Sequence, residues 1–167
     1  MKIAIGIDKP SKGQKILMSL VKRLRDNGKG VGGAIILREP KYSLLVVDLA
    51  SGERRRLSAP SGSGARFGGR RLDLNSLSKF ATEAVESSVS GLEVTVFHEI
   101  EPLGLVSPEL RKTLEKAVHS DAELVFTYKF GFLDPLVELI TSTFKVLTLD
   151  DVEKVLMGED HEGNWDR

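Results

Sequence analysis

The sequence has no cysteine, which excludes disulfides, thiolate nucleophiles and thiolate-held zinc or iron–sulfur centres. Histidine is scarce: His98, His119 and His161 lie far apart, and none has a second histidine at ligand spacing, so no metal site is expected. Gln14 is the sole glutamine, and Asn27, Asn75 and Asn164 are the only asparagines. With many Lys, Arg and Glu, this shortage of thermolabile residues is the composition expected of a thermophile. Net charge is zero, which removes any general electrostatic pull toward nucleic acid or an anionic membrane. No apolar run is long enough to span a bilayer, and Lys2 precedes only a five-residue apolar stretch, too short for a secretory signal. A cytoplasmic location with no membrane partner is the expectation.

What is present is a globular balance, 41% apolar and 29% charged over 167 residues, enough for one core and too little for two ordinary domains. Residues 1–157 read as a single domain and 158–167 as a polar tail, in which Trp165 is able to dock on the domain or on a neighbouring molecule. Ile3 to Ile7 predicts a strand, and Ile16, Leu17, Leu20, Val21 and Leu24 predict a helix over 13–26, ended by Asn27-Gly28. Residues 31–37 and 43–49 predict a hairpin, with a third short strand at 53–58. The stretch 59–71, rich in Gly and Ser, predicts a loop with a basic edge at Arg66, Arg70 and Arg71. A helix from an Asp73 N-cap follows, closed by Gly91. After it strand and helix alternate: 93–97, 107–118, 123–128, 134–141, 144–147 and 149–157. Strands separated by helices at this spacing demand crossovers, hence a three-layer α/β domain whose sheet is mostly parallel, with the antiparallel hairpin as an insertion.

Chemistry is expected where the first strand meets the first helix. A phosphate-binding loop there reads GxxxxGK[ST], with a lysine on the β/γ phosphates and a hydroxyl on Mg²⁺. This chain has Asp8, Gly13, Gln14 and Lys15 at those positions, so only the second glycine is kept. The candidate phosphate-binding set is Lys9, Lys12, Gly13, Gln14 and Lys15; equally, the lysines simply solvate the loop and offset Asp8. A second group is expected at the end of a later apolar strand, where a carboxylate holds Mg²⁺ and a neighbouring glutamate orients water. That strand ends in Val96-Phe97-His98-Glu99, which makes Glu99 the candidate catalytic carboxylate. His98 is a weak ligand for a hard cation and reads equally as a partly buried imidazole bonded to backbone. His98, Lys129 and Arg66 complete the candidate pocket, since ligands of open α/β sheets collect beyond the carboxyl ends of the strands. Arg54 to Arg56 with Arg66, Arg70 and Arg71 lack interleaved aromatics beyond Phe67, so nucleic acid is not an expected partner.

The order of these pieces resembles the small P-loop nucleoside-triphosphatases of thermophilic archaea and bacteria, whose human relative is the cancer-related nucleoside-triphosphatase. The segments that carry it are Gly30-Val31-Gly32-Gly33, Val47-Asp48-Leu49-Ala50-Ser51-Gly52-Glu53, Arg66 to Asp73, Phe97-His98-Glu99-Ile100 and Asp134-Pro135-Leu136-Val137. The resemblance implies a RecA-like fold and Mg²⁺-dependent hydrolysis of nucleoside triphosphates by a loop lysine, a loop threonine and an Asp-Glu pair. Gln14 stands where that lysine would be, Lys15 where the hydroxyl would be and His98 where the aspartate would be, whereas Gly13 and Glu99 match. Enzymatic rate enhancements amount to about 8–23 kcal/mol, supplied in phosphoryl transfer almost wholly by positioning and electrostatics. Losing three such groups together predicts a degenerate, catalytically silent member that binds an anionic ligand or a protein partner. The alternative is a working nucleoside-triphosphatase, releasing phosphate from NTP, with a relocated lysine and Glu99 as base; only that alternative calls for nucleotide and Mg²⁺.

Overall fold

The computed structural model describes residues 1–38, 44–56, 65–67, 70–72, 74–98 and 107–158. Nine strands and five helices lie within them: β1 (Lys2–Ile7), α1 (Pro10–Asp26), β2 (Val31–Arg38), β3 (Leu44–Asp48), β4 (Arg54–Arg56), β5 (Ala65–Phe67), β6 (Arg70–Leu72), α2 (Leu74–Gly91), β7 (Val94–Phe97), α3 (Pro108–Val118), β8 (Glu123–Lys129), α4 (Pro135–Thr143), β9 (Lys145–Thr148) and α5 (Leu149–Met157). Seven strands form one sheet in the order β4-β3-β2-β7-β8-β1-β9. The five strands β2, β7, β8, β1 and β9 are parallel neighbours, and β3 and β4 extend the sheet antiparallel from β2.

Because parallel strands need crossovers, helices cover both faces, and β1 shows how the sequence meets that demand. Alternate side chains leave a strand on opposite faces. Ile3, Ile5 and Ile7 therefore join Ile16, Leu17, Leu20 and Val21 of α1 and Leu149 and Val152 of α5 in one core. Ala4 joins Phe97, Phe126, Leu114, Val85 and Ile140 in the core beneath α2, α3 and α4. Phe97 meets Phe126 edge-on at 6.3 Å between ring centres, and Phe126 lies 5.6 Å from Phe144. Each fully buried Leu, Ile or Phe of this kind contributes about 1.5–3 kcal/mol before the entropy of ordering it is subtracted. The result is the expected three-layer α/β domain with an antiparallel edge.

Two local expectations change. Helix α1 starts at Pro10 rather than at Gly13, because proline's fixed φ is ready for the first helical position. The predicted loop 59–71 contains the two-stranded antiparallel ribbon β5–β6, whose register Phe67↔Arg70 leaves Gly68-Gly69 between the strands in sequence. Several expectations fall outside the described residues: the Asp73 cap, Glu99 with Ile100, and the tail beyond Gly158. Among the described residues no helix is long and apolar enough to cross a membrane.

Candidate functional site

The parallel strands β7, β8 and β1 end side by side, with Phe97 beside Phe126 and Ile7 beside Lys129 in register. This carboxyl edge therefore gathers His98, Lys129 and Asp8 along one rim. Between β1 and α1 only Asp8 and Lys9 intervene. Lys9 is the N-cap residue and makes no side-chain cap; its carbonyl accepts the first helical bond from the Gly13 N–H at 2.9 Å. Pro10 has no N–H, so the donors a helix start leaves without intrahelical partners are those of Lys9, Ser11 and Lys12. A phosphate loop of the usual length would wrap more backbone around its ligand; here three of those positions have been wound into the helix.

The two glycines flanking this junction answer to packing. A Cβ on Gly13 would lie 2.8 and 2.9 Å from Ile7 Cγ2 and Cδ1, so its absence lets α1 close onto the end of β1. A Cβ on Gly6 would meet Phe130 Cδ2 and the Tyr128 hydroxyl oxygen, each at 3.3 Å, on the opposite face of the sheet. Tyr128 is buried, which pushes its hydroxyl pKa up, whereas Phe130 and Leu133 on the connection to α4 are exposed.

The candidate phosphate-binding lysines point to different places. Lys12 Nζ lies 2.8 Å from both Asp150 Oδ1 and Glu153 Oε2 on α5. Hydrogen bonds to these two carboxylates raise the ammonium pKa above its ordinary value, and the same bond from Lys12 lowers that of Asp150. Lys15 is exposed and lines a cleft between α1 and α5. Lys9 is exposed at the helix start, and Gln14 is half-buried and bonded. Of the three lysines, only Lys9 is left at the rim with Asp8.

His98 is 1% exposed, and its Nδ1 lies 2.7 Å from the Thr127 hydroxyl, while its backbone N–H donates to the Ala34 carbonyl at 3.1 Å. Threonine on the adjacent strand is thus a partner of the ring. Lys129 is exposed at the end of β8. Arg66 falls on β5, away in sequence register from the main sheet, and its side chain lies outside the described atoms, as does all of Glu99.

The polar pair that sequence reasoning missed lies one strand away. Arg111 on α3 grips Asp134 with both guanidinium arms, at 2.9 and 3.1 Å. Asp134 is also the N-cap of α4 and accepts from the Leu136 N–H at 2.8 Å. Burial pushes this carboxyl up, but the Arg111 and backbone hydrogen bonds outweigh it and hold its pKa below the ordinary value; Arg111 is raised by the same contact. The Asp134-Pro135 start of the helix was readable as a cap. Its arginine, 23 residues earlier, carried no local signal.

Similarity to known proteins bears on the family and the fold. The family described as NTPase matches residues 10–157. Nucleoside-triphosphatase THEP1 of Methanothermobacter thermautotrophicus is 31% identical over 133 residues, 75% of this chain and 74% of that protein. THEP1 of Methanosarcina acetivorans is 30% identical over 103 residues, 62% of this chain and 58% of that protein. Among solved structures, THEP1 from the hyperthermophile Aquifex aeolicus superimposes with a TM-score of 0.79 at 17% identity, over 96% of this chain and 97% of that one. The solution structure of a human cancer-related nucleoside triphosphatase gives 0.73 at 19% identity, over 96% and 97%. At these identities the two structures speak to the fold.

Proposed function

Since the chain belongs to the NTPase family, we propose that it binds a nucleoside triphosphate at the carboxyl edge of β7, β8 and β1 and has lost the groups that would hydrolyse it. The phosphates are met by the N-terminal N–H groups of α1, by Lys9 and by Lys129, since a helix start favours anions through its dipole and its unpaired donors. Asp8 opposes them, which makes binding weak.

The observation that carries the loss of hydrolysis is the state of His98. At the position where the resemblance puts a metal-holding aspartate there is a buried imidazole engaged with Thr127. Mg²⁺ takes oxygen ligands in near-ideal octahedral geometry, and Lys15 brings a cation where the ligating hydroxyl would be, so the described residues do not fit that metal. Gln14 supplies no charge in place of the loop lysine, and Lys12 is occupied by α5. Each missing electrostatic group is worth about 2.7–4 kcal/mol in comparable sites, so their joint loss removes most of the barrier lowering.

A second reading keeps hydrolysis, with Glu99 as base. It is favoured by the names of the two curated relatives, both nucleoside-triphosphatases. One pair of measurements separates the readings. Millimolar ATP, GTP, CTP and UTP should raise the melting temperature by mass action, while phosphate release stays at the protein-free rate with Mg²⁺ present. Steady release that disappears in Glu99→Ala would establish the second reading instead, and no thermal shift with any nucleotide would overturn binding.

A further inference from the structure

The carboxyl end of β8 has a side that the proposed phosphate contacts leave unused. Successive residues of a strand face opposite sides of the sheet. Lys129, in register with Ile7, therefore points to the side of α1, and Tyr128 to the other. On that other side two aromatic residues meet over a bare stretch of the neighbouring β1: a Cβ on Gly6 would lie 3.3 Å from the Tyr128 hydroxyl oxygen and 3.3 Å from Phe130 Cδ2. Tyr128 is 7% exposed, yet its hydroxyl makes no hydrogen bond among the described residues. A hydroxyl so largely withdrawn from water ordinarily has a partner. Burial raises its pKa, which keeps the group neutral and able both to donate and to accept.

Phe130 is the converse case, an aromatic ring left in water. The connection from β8 to α4 contains two phenylalanines, of which Phe132 packs against the core and Phe130 is 69% exposed. Phe130 is held at the rim by its N–H, which donates to the Ile7 carbonyl at 2.9 Å, and by the turn at Gly131, φ 81°. We infer that Phe130 and Tyr128 form the nucleoside end of the triphosphate site, the ring stacking on the nucleobase and the hydroxyl bonding to it. This rests on the reading that a nucleoside triphosphate binds at this edge. The placement suits one molecule, because β8 and β1 are neighbours about 4.8 Å apart. Phosphates at Lys129 and the start of α1, and a base over Phe130, lie on either side of one strand end. Stacking uses the π-face that every base has, so the platform takes purine and pyrimidine alike, and a tyrosine hydroxyl meets donor and acceptor edges equally.

Calorimetric titration of the full chain with ATP and with inorganic tripolyphosphate separates the two ends of the site. The parent should hold ATP about tenfold more tightly than tripolyphosphate. Phe130→Ala, a surface change, should remove that advantage, and Tyr128→Phe should reduce it about threefold, with tripolyphosphate affinity and far-UV circular dichroism unchanged in both. Without ligand, Tyr128→Phe should melt no lower than the parent, since its hydroxyl has no bond to lose; a lower melting temperature would make the hydroxyl structural and overturn its role. ATP affinity indifferent to both substitutions, or a loss that tripolyphosphate shares, would overturn the inference and leave nucleotide binding in place. Binding of neither ligand by the parent would instead remove the nucleotide reading itself, and the inference with it.

Discussion

Two strand-to-helix junctions lie on adjacent parallel strands, and both set an acid shortly before a proline at the first helical position: Asp8-Lys9-Pro10 at α1 and Asp134-Pro135 at α4. They have been finished in opposite ways. At α4 the acid is itself the N-cap, buried, bonded to the Leu136 N–H and neutralised by both arms of Arg111. At α1 the acid sits one residue too early, the cap position holds a lysine with nothing to accept with, and both side chains are exposed. A good side-chain cap stabilises a helix by about 0.5–2 kcal/mol, which the first junction has and the second forgoes. The capped junction is closed to any ligand. The uncapped one leaves its donors to water or to an anion, and it is the one at which the family places its phosphate chemistry.

Breaking the closed junction should give the largest effect. Arg111→Ala strands a buried carboxylate and removes two charge-assisted bonds, so urea unfolding should show a loss of about 2–3 kcal/mol. Its pH dependence sharpens the point. Asp134 remains ionised in the native chain below its ordinary pKa, while the unfolded chain takes up that proton near pH about 4. In the acid range the unfolded state therefore binds more protons, and the stability due to this group is present above about pH 4 and lost as pH falls toward the native value. That part of the acid loss should be absent in Arg111→Ala.

Converting the open junction into a closed one should act in the other direction. Lys9→Asp supplies an acceptor for the free N–H groups of α1 and favours its dipole, for a gain of about 1 kcal/mol in the same urea titration. The same carboxylate repels phosphate, so any nucleotide-dependent rise in melting temperature should disappear. A stabilised variant that still responds to nucleotide would put the phosphates elsewhere. The smallest effect belongs to Lys12→Ala. Its ion pairs with Asp150 and Glu153 are exposed, so the melting temperature should drop slightly at low salt and match the parent at high salt.

The architecture was legible because it depends on periodicity. Ile3, Ile5 and Ile7 alternate with Ala4, and the α1 stripe Ile16, Leu17, Leu20, Val21 and Leu24 repeats at helical spacing, so strand, helix and crossover follow from local order. The β5–β6 ribbon was not legible, since three-residue strands give periodicity too little length to register. The start of α1 was misplaced because reading 8–15 against a loop motif outweighed the plain signal of Pro10 at a helix start. Gln14, Lys15 and His98 could be named from sequence as residues of interest, but their surroundings could not. Whether a lysine serves a loop depends on what lies across from it, and Asp150 and Glu153 are more than a hundred residues away along the chain.

The sequence by itself determined the α/β class, the order of the elements, and which residues stand at the first strand-to-helix junction. These are local quantities, set by side-chain type and spacing. Only the tertiary structure decided that Lys12 belongs to α5, that His98 is buried against Thr127, and that Asp134 is gripped by Arg111. Each of those depends on two distant segments meeting at hydrogen-bonding distance, and that meeting is fixed by how the sheet and its two helical layers pack.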